Sequence, residues 1–400
     1  MTAIAAAPVE LEPQHAEIVS ATLPLVGAHI DEITTEFYRR LFANHPELLR
    51  NLFNRGNQAQ GAQQRALAAS IATFAAHLVD PDLPHPAELL SRIGHKHASL
   101  GITADQYSIV HENLFAAIVT VLGADTVTDE VAAAWDRVYW IMAQTLIDIE
   151  HDLYAAAGVA DGDVYRRARV ASRVDDPSGA VLLTVRSTGG KFPEFLPGQY
   201  VSVGVTMPDG ARQLRQYSLV NAPDTEQLTF AVKPVGEVSS WIAANVCVGD
   251  ILDVTVPFGD LPAPSGGRPL VLVSAGIGIT PMIGILEFLA ANASDTSVQV
   301  LHADRSDRSH PLRERQCELM AQLTNGSLDI WYEDGLTGGH DSVHAGLLSL
   351  DGIELPATAE IYVCGNNGFV QAVRAQLLAR GVPATRVHSE LFSPNDWLLS

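Results

Sequence analysis

One uncharged segment decides the fold of the last third of the chain: Leu270-Val-Leu-Val-Ser-Ala-Gly-Ile-Gly-Ile-Thr-Pro-Met-Ile-Gly-Ile-Leu286. Its length approaches that of a membrane span, but three glycines and Pro281 interrupt it. A buried strand over Leu270–Val273 that turns into a helix explains the pattern better, because glycines allow a close approach to phosphate and proline suits the first helical turn. The segment therefore predicts a strand–turn–helix unit and no membrane span.

Strands and helices continue to alternate downstream of this unit. Tyr362-Val-Cys-Gly365 repeats the pattern of a strand followed by glycine. The alternation predicts a parallel sheet with helices on both faces over residues 268–400. The predicted elements are Leu270–Val273, helix Pro281–Ala290, Val298–His302, helix Pro311–Leu323, Ile361–Cys364 and helix Gly368–Arg380.

Upstream, residues 163–263 have a different pattern, in which short apolar runs are separated by Gly, Pro and Asp turns. This pattern predicts an antiparallel β-barrel, with residues 161–163 and 262–267 as the linkers on either side. The predicted strands are Arg169–Ala171, Val181–Val185, Tyr200–Val205, Leu228–Val232 and Ile251–Val256.

Residues 15–157 are predicted to be almost entirely helical, because apolar positions recur at helical spacing and glycine is scarce. The 400-residue chain is thus predicted to be multidomain: an all-α domain, an antiparallel β-barrel and an α/β domain with a parallel sheet. Its formal net charge of −21 argues against nucleic-acid or anionic-lipid binding as the main role. Three dispersed cysteines and no evident signal peptide favour a reducing, cytoplasmic location.

One histidine of the helical third is predicted to point inward. His97 lies between Ile93 and Leu100 on an apolar helix stripe, whereas His95 falls on the polar side. An inward histidine is compatible with a structural role or with a ligand role, so the stripe alone does not distinguish between them.

Three further polar residues, Tyr38, Gln63 and Glu150, stand on otherwise apolar stripes of other helices. A buried carboxylate is costly unless it is paired. Two interpretations remain open from periodicity: side chains that are capped or reach solvent, or a cofactor pocket. In the second, His97 binds a metal, Glu150 orders that histidine, and Tyr38 and Gln63 lie on the far side.

Two segments of the middle third carry groups suited to a phosphate. Arg215-Gln-Tyr217-Ser218 offers a guanidinium fork, an aromatic ring and a hydroxyl on one strand. Gly236-Glu-Val238-Ser239 places backbone N–H groups and a serine at a helix N-terminus, which is a ready site for an anion.

The helical third resembles the globin domain of flavohaemoglobins. The matching segments are Glu36-Phe-Tyr-Arg-Arg-Leu-Phe42, His45-Pro-Glu-Leu48, Leu52-Phe-Asn54, Asn57-Gln58 and Lys96-His-Ala-Ser99. The resemblance implies that His97 binds the iron of haem b, with Tyr107 and Glu150 hydrogen-bonded behind it. It also implies that Tyr38, Gln63 and Leu67 line the oxygen side and that Phe53 packs on the porphyrin.

The remainder resembles the ferredoxin-reductase-like FAD and NAD(P)H module of the same family. The resemblance implies Arg215 and Ser239 on the FAD pyrophosphate, within the motif that includes Gly236 and Val238. It places Tyr200, Tyr217 and Ser218 around the isoalloxazine ring. It implies an NAD(P)H site and a flavin cover formed by Gly276, Gly278, Thr280, Pro281, Cys364, Gly365, Glu390 and Phe392.

Three features qualify the reductase resemblance. Asn366 stands where the family usually has proline after Cys-Gly, and Ser393 replaces a glycine near the C-terminus. At the end of the second predicted strand, Asp304 suits NADH, whereas Arg305 and Arg308 suit the 2′-phosphate of NADPH. The residues slightly favour NADH.

By resemblance, the expected activity is nitric oxide dioxygenation: NO and O₂ become nitrate, with NAD(P)H electrons passed through FAD to haem. The alternatives are an oxygen-binding or sensing haem protein with an attached ferric reductase, and a flavin or alkylhydroperoxide reductase. The expected protein is monomeric, with no nucleic-acid partner and no integral membrane contact.

Overall fold

The computed structural model describes residues 10–51, 53, 61–80, 82–83, 87–264, 267–334 and 342–392. These residues form two compact units. The first contains the chain up to Val164 together with 208–214, and the second contains 165–207 and the chain from Arg215 onward. The boundaries 15–157, 163–263 and 268–400 stay predictions.

The first unit is helical, as the apolar periodicity predicted. Its core packs aromatic and aliphatic side chains from six of the helices, among them Ile33, Leu41, Phe74 and Ile141, each at most 1% exposed. The helices are α1 (Pro13–Ala28), α2 (Ile30–Asn44), α3 (Pro46–Asn51), α4 (Ala62–Val79), α5 (Ala87–Leu100), α6 (Gln106–Leu122) and α7 (Asp129–Ala156).

The second unit begins with a six-stranded antiparallel sheet in the order β4-β3-β6-β1-β2-β5. This half-barrel confirms the predicted antiparallel domain, and an isolated bridge between Leu219 and Phe230 joins the chain after β4 to β5. Helix α8 (Glu237–Asn245) lies between β5 and β6 in the chain. The strands are β1 (Tyr165–Asp175), β2 (Val181–Ser187), β3 (Tyr200–Thr206), β4 (Arg212–Ser218), β5 (Leu228–Val232) and β6 (Ile251–Thr255).

The same unit ends with a parallel sheet in the order β10-β9-β8-β7-β11-β12. The order reverses between β7 and β11, which is where open α/β sheets bind their ligands. Helices pack on this sheet as predicted. The elements are β7 (Leu270–Ala275), α9 (Ile279–Ala291), β8 (Val298–Asp304), α10 (Arg313–Gln322), β9 (Gly326–Tyr332), β10 (Val343–Ala345), β11 (Glu360–Gly365), α11 (Asn367–Ala379) and β12 (Val387–Leu391).

Helix α9 packs against the barrel at one glycine. A Cβ atom at Gly284 would lie 2.5 Å from the carbonyl oxygen of Leu219, so no larger residue fits there. The described residues contain no helix long and apolar enough to cross a membrane. The segment 270–286 is a strand followed by a helix, as its glycines and Pro281 indicated.

Candidate functional site

His97 lies in the last turn of α5, and its imidazole Nδ1 atom is held by two groups. Nδ1 is 2.9 Å from Glu150 Oε1 and 3.1 Å from Tyr107 Oη. Tyr107 donates its hydroxyl proton to the same Glu150 oxygen at 2.5 Å. Because the phenol proton is used there, the imidazole proton must lie on Nδ1, which leaves the Nε2 lone pair available.

The carboxylate of Glu150 is buried on α7, with its side chain 3% exposed. Two donors satisfy it, which removes the penalty for burying a charge. Burial and the adjacent Glu150 charge raise the pKa of Tyr107, so the phenol remains a donor at any physiological pH. The helical stripes predicted that Glu150 and His97 point inward, and the structure brings them together.

The donor set fits a haem iron. Within the described residues no group of three His, Cys, Asp or Glu side chains can hold a metal ion. Among these residues, a metal bound by His97 would therefore find no set of three such ligands, which suits a cofactor that brings its own. Haem would supply four porphyrin nitrogens, and His97 would hold its iron through the neutral imidazole Nε2.

The other candidate residues of the first unit lie in its aromatic core. Tyr38 on α2 is 5% exposed, and its ring is 6.0 Å from that of Phe53 and edge-on to it. Phe42 packs against both rings. Leu67 on α4 packs on the same core. Gln63 belongs to α4, but its side chain lies outside the described part of the chain.

A buried tyrosine on β4 of the second unit has a polar atom that the described chain leaves unsatisfied. The hydroxyl of Tyr217 is buried and has no hydrogen-bond partner within the described residues. Its ring stacks on Phe230 at 5.5 Å, and burial raises its pKa. A buried hydroxyl without a partner is costly unless a ligand supplies one, so Tyr217 fits a ribityl or isoalloxazine polar group. Ser218 and Tyr200 are also buried here, at 5% and 8% exposure.

Helix α8 presents its N-terminus after Gly236. Its first-turn N–H groups have no acceptor within the helix and can meet a phosphate. The hydroxyl of Ser239 accepts the N–H of Gly236 at 3.0 Å and that of Val235 at 3.1 Å, and donates to Gly236 O. Ser239 therefore shapes the turn with its side chain, while Val238 anchors it in the core at 1% exposure.

The two glycine motifs of the parallel sheet meet at its switch point. A Cβ atom at Gly278 would collide with the carbonyl of Cys364, so the turn that follows β7 approaches the end of β11 at this glycine. Gly276 has φ +52°, a conformation that favours glycine. Thr280 is buried and donates to Ile277 O at 3.0 Å. Pro281 lies in the first turn of α9, as the sequence predicted.

The departure at Asn366 has a structural role. Its side chain caps α11 by accepting the N–H of Phe369 at 2.9 Å. Gly365 allows the ring of Phe369 to approach, because a Cβ atom there would lie 2.6 Å from it. Glu390 on β12 is 6% exposed and pairs in register with Cys364. Phe392 is 48% exposed, and Ser393 lies outside the described residues.

Sequence reasoning named Asp304 at the end of β8 but missed the polar cluster that surrounds it. His302 is fully buried, and its Nδ1 atom forms a hydrogen bond with Ser274 Oγ at 2.8 Å. Its ring stacks on that of His310, with ring centres 3.9 Å apart. Its Nε2 atom lies 3.9 Å from Asp304 Oδ2, and both atoms lack a hydrogen-bond partner in the described structure. Lys233 Nζ and Asp304 Oδ2 each lie 3.9 Å from where a Cβ of Gly276 would be.

The chain matches known proteins over nearly its whole length. Residues 35–146 match the model of the globin family and 272–375 that of the oxidoreductase NAD-binding domain. The flavohemoproteins of Bordetella parapertussis and Deinococcus radiodurans are each 39% identical, and the matches cover 96% of this chain and 98% of each relative. The chain belongs to the flavohaemoglobin family.

Solved structures of this family agree with the fold. The flavohaemoglobin of Malassezia yamatoensis, determined with bound FAD and haem, aligns with a TM-score of 0.88 at 32% identity. That match covers 96% of this chain and all of the other. The FAD/NAD-binding domain of a nitric oxide dioxygenase from Vibrio cholerae aligns with a TM-score of 0.54 at 33% identity, covering 57% of this chain.

Proposed function

We propose that this flavohaemoglobin is a nitric oxide dioxygenase that converts NO and O₂ to nitrate with NAD(P)H electrons passed through FAD to haem b. The observation that carries the proposal is the locked imidazole of His97, with Nδ1 held by Glu150 and Tyr107 and Nε2 left for iron. The likeness to a nitric oxide dioxygenase reductase domain and to a protein that holds FAD and haem supports it.

When bound, FAD and haem would supply the redox chemistry: conversion of a hydride's two electrons into single electrons, and an iron site for O₂ and NO. Two NO and two O₂ become two nitrates for each hydride, so the electrons and atoms balance. The protein positions these groups and tunes them.

On one side of the haem, Glu150 keeps the imidazole proton of His97 on Nδ1 and makes the ring a stronger electron donor. With haem bound, a stronger donor would favour the oxidised form of the iron. On the other side, Tyr38, Gln63 and Leu67 line the oxygen pocket in this proposal, with Phe53 against the porphyrin. Tyr38 is 5% exposed, and its hydroxyl would be suited to donate a hydrogen bond to O₂.

In the reductase part, Arg215 and the N-terminus of α8, with Gly236, Val238 and Ser239, hold the FAD pyrophosphate. Tyr200, Tyr217 and Ser218 hold the flavin ring, and Glu390 and Phe392 cover it. Gly276, Gly278, Thr280, Pro281, Cys364 and Gly365 form the floor of the NAD(P)H site. The close approach at Gly278 and the partnerless Tyr217 hydroxyl support this assignment.

We propose NADH as the preferred donor. Burial alone would raise the pKa of Asp304, but His302, Ser309 and the N–H of Arg305 outweigh it and lower that pKa. The ionised carboxylate at the end of β8 would accept a ribose hydroxyl and repel a 2′-phosphate. Arg305 and Arg308 are exposed, which leaves the carboxylate as the inward-facing charge.

The three cysteines are free thiols in the described structure. This supports a reducing compartment, the cytoplasm, as the working location.

The proposal is tested by aerobic oxidation of NADH and of NADPH, each with and without NO, with nitrate measured in the same samples. We expect NO to accelerate the oxidation, with two nitrates formed per NADH and a lower KM for NADH than for NADPH. Oxidation that NO leaves unchanged would favour an oxygen-binding protein with a ferric reductase. Peroxide reduction that survives removal of haem would favour a flavin-based hydroperoxide reductase.

A further inference from the structure

The chain between His97 and Tyr107 forms a short corner between α5 and α6. Helix α5 ends at Leu100, and Gly101 follows with φ +75°, a left-handed conformation that ends helices. The N–H of Ile102 donates to the carbonyl of His97 at 3.1 Å. This bond satisfies one of the last carbonyls of α5, which have no partner within the helix.

Helix α7 holds this corner through a tyrosine that the proposed mechanism does not use. Tyr154 lies one turn after Glu150 and is 1% exposed. Its hydroxyl donates to the carbonyl of Ile102 at 2.6 Å. Ile102 is thus bonded at its N–H to the backbone of His97 and at its carbonyl to α7.

The same region of α7 approaches α5 without a gap. A Cβ atom at Gly94, one turn before His97, would lie 2.5 Å from Ile149 Cγ2. Gly162 closes the corner from another direction, because a Cβ there would lie 2.7 Å from Thr103 Cγ2. The corner is therefore enclosed by packed atoms, and the Tyr154 hydroxyl is directed at its backbone.

A hydrogen bond to the side chain of His97 fixes the rotation of the ring only if the backbone that carries the ring is also fixed. Glu150 and Tyr107 hold Nδ1, and they lie on α7 and α6. The contact of Tyr154 with Ile102 ties the last turn of α5 to α7, the helix that bears Glu150. The imidazole ring of His97 and the backbone that carries it are then both held by α7.

We infer that Tyr154 is a positioning residue for His97, whose hydroxyl fixes, through Ile102, the last turn of α5 and so the height and tilt of the imidazole. The inference rests on the proposed role of His97 as the haem ligand. The Tyr154 hydroxyl touches neither haem nor substrate in this assignment and acts only through the backbone.

The test compares Tyr154→Phe with Thr145→Val in the full-length, haem-loaded protein. Thr145 is a matched control, because it also lies on α7 and its hydroxyl donates to the carbonyl of Ile141 within the same helix at 2.8 Å. Each variant removes one hydroxyl hydrogen bond and keeps the bulk of the side chain. Resonance Raman spectroscopy of the ferrous protein reports the iron–histidine stretching band, and transfer to an excess of apomyoglobin reports haem loss.

We expect Tyr154→Phe to lower and broaden the iron–histidine band and to speed haem loss by about 2- to 10-fold, the equivalent of one hydrogen bond. Thr145→Val should leave both unchanged, and flavin reduction by NADH should be normal in both variants. A lower melting temperature for Tyr154→Phe with an unchanged band and unchanged haem loss would overturn the inference and leave Tyr154 a purely structural residue.

The two assignments fail in different ways. If the unsubstituted ferrous protein shows no iron–histidine band, the role of His97 as ligand is wrong. If the band is present and both variants shift it equally, the ligand is right and the positioning role of Tyr154 is wrong.

Discussion

The haem side and the flavin side of this protein differ in how far their polar groups are satisfied by the protein itself. Around His97, the Nδ1 atom, the Tyr107 hydroxyl and the Glu150 carboxylate bond to one another. In the reductase part, the Tyr217 hydroxyl and Asp304 Oδ2 are buried without a partner in the described chain. The first site fixes the tautomer of the His97 imidazole. In the second, the polar groups can form hydrogen bonds with a molecule that binds there.

The largest effect should come from His97→Ala. The variant loses the protein's iron ligand, so we expect the Soret spectrum and CO binding of the native protein to be lost. FAD should stay bound at about one per chain, because the described chain forms separate compact units. Absorption spectra and flavin content measure both. An unchanged Soret band would disprove the assignment and make His95 or His111 the candidate.

Arg215→Ala should weaken FAD retention by about 10- to 100-fold, since a charge-assisted contact to phosphate contributes about 1.5–3 kcal/mol. Flavin content after dilution and gel filtration measures the loss. Arg169→Ala is the control, because Arg169 is an exposed strand residue that donates to Gly249 O. Full flavin occupancy in the Arg215 variant would contradict the cradle.

Glu150→Gln should keep haem but raise its reduction potential. The amide still accepts a hydrogen bond from Nδ1, but a neutral acceptor is weaker than a charged one by about 1 kcal/mol, or about 40 mV for one electron. The uncharged partner makes the imidazole a poorer donor, which disfavours oxidised iron. Spectroelectrochemical titration measures the shift. A potential equal to that of the unsubstituted protein would mean that the buried charge does not tune the haem.

Tyr217→Phe should have the smallest effect. It should stabilise the flavin-free protein and weaken the flavin-loaded one. Without FAD, removal of a buried hydroxyl that has no partner should stabilise the protein by about 1 kcal/mol. With FAD, the lost hydrogen bond should weaken binding a few-fold. Thermal unfolding of the flavin-free and flavin-loaded protein measures both. Destabilisation of the flavin-free protein would show that the hydroxyl already has a partner there.

The periodic part of this architecture was predictable, because burial leaves a pattern along the chain. The stripes carrying His97 and Glu150 and the uncharged segment around Pro281 are such patterns. Strand β1 runs from Tyr165 to Asp175, well beyond the predicted three residues, because a register shift between Val170 and Ser172 breaks the alternation of buried and exposed positions. Strand β9 was missed because it begins with exposed and polar residues, so its buried run is only three residues long.

Contacts between distant residues left no such pattern. Tyr107 was assigned only by resemblance, because nothing in its own helix indicates that its hydroxyl meets a carboxylate 43 residues away. The stacked His302 and His310 and the approach of Lys233 to Gly276 depend on chain crossings that periodicity does not encode. The capping role of Asn366 could have been predicted from the sequence, because Asn is a favoured residue at a helix N-cap. Its side chain accepts the N–H of Phe369, three residues further along the chain.

The tight contact at Gly284 limits how this reductase can be recombined. A side chain at Gly284 would collide with the carbonyl of Leu219. The β-barrel and helix α9 of the nucleotide-binding half therefore contact each other backbone to backbone at this point. A chimera that joins this barrel to the nucleotide half of another enzyme would keep this close contact only if the incoming helix carries glycine at the same turn. The requirement for glycine at this one position therefore restricts which nucleotide-binding halves can be combined with this barrel.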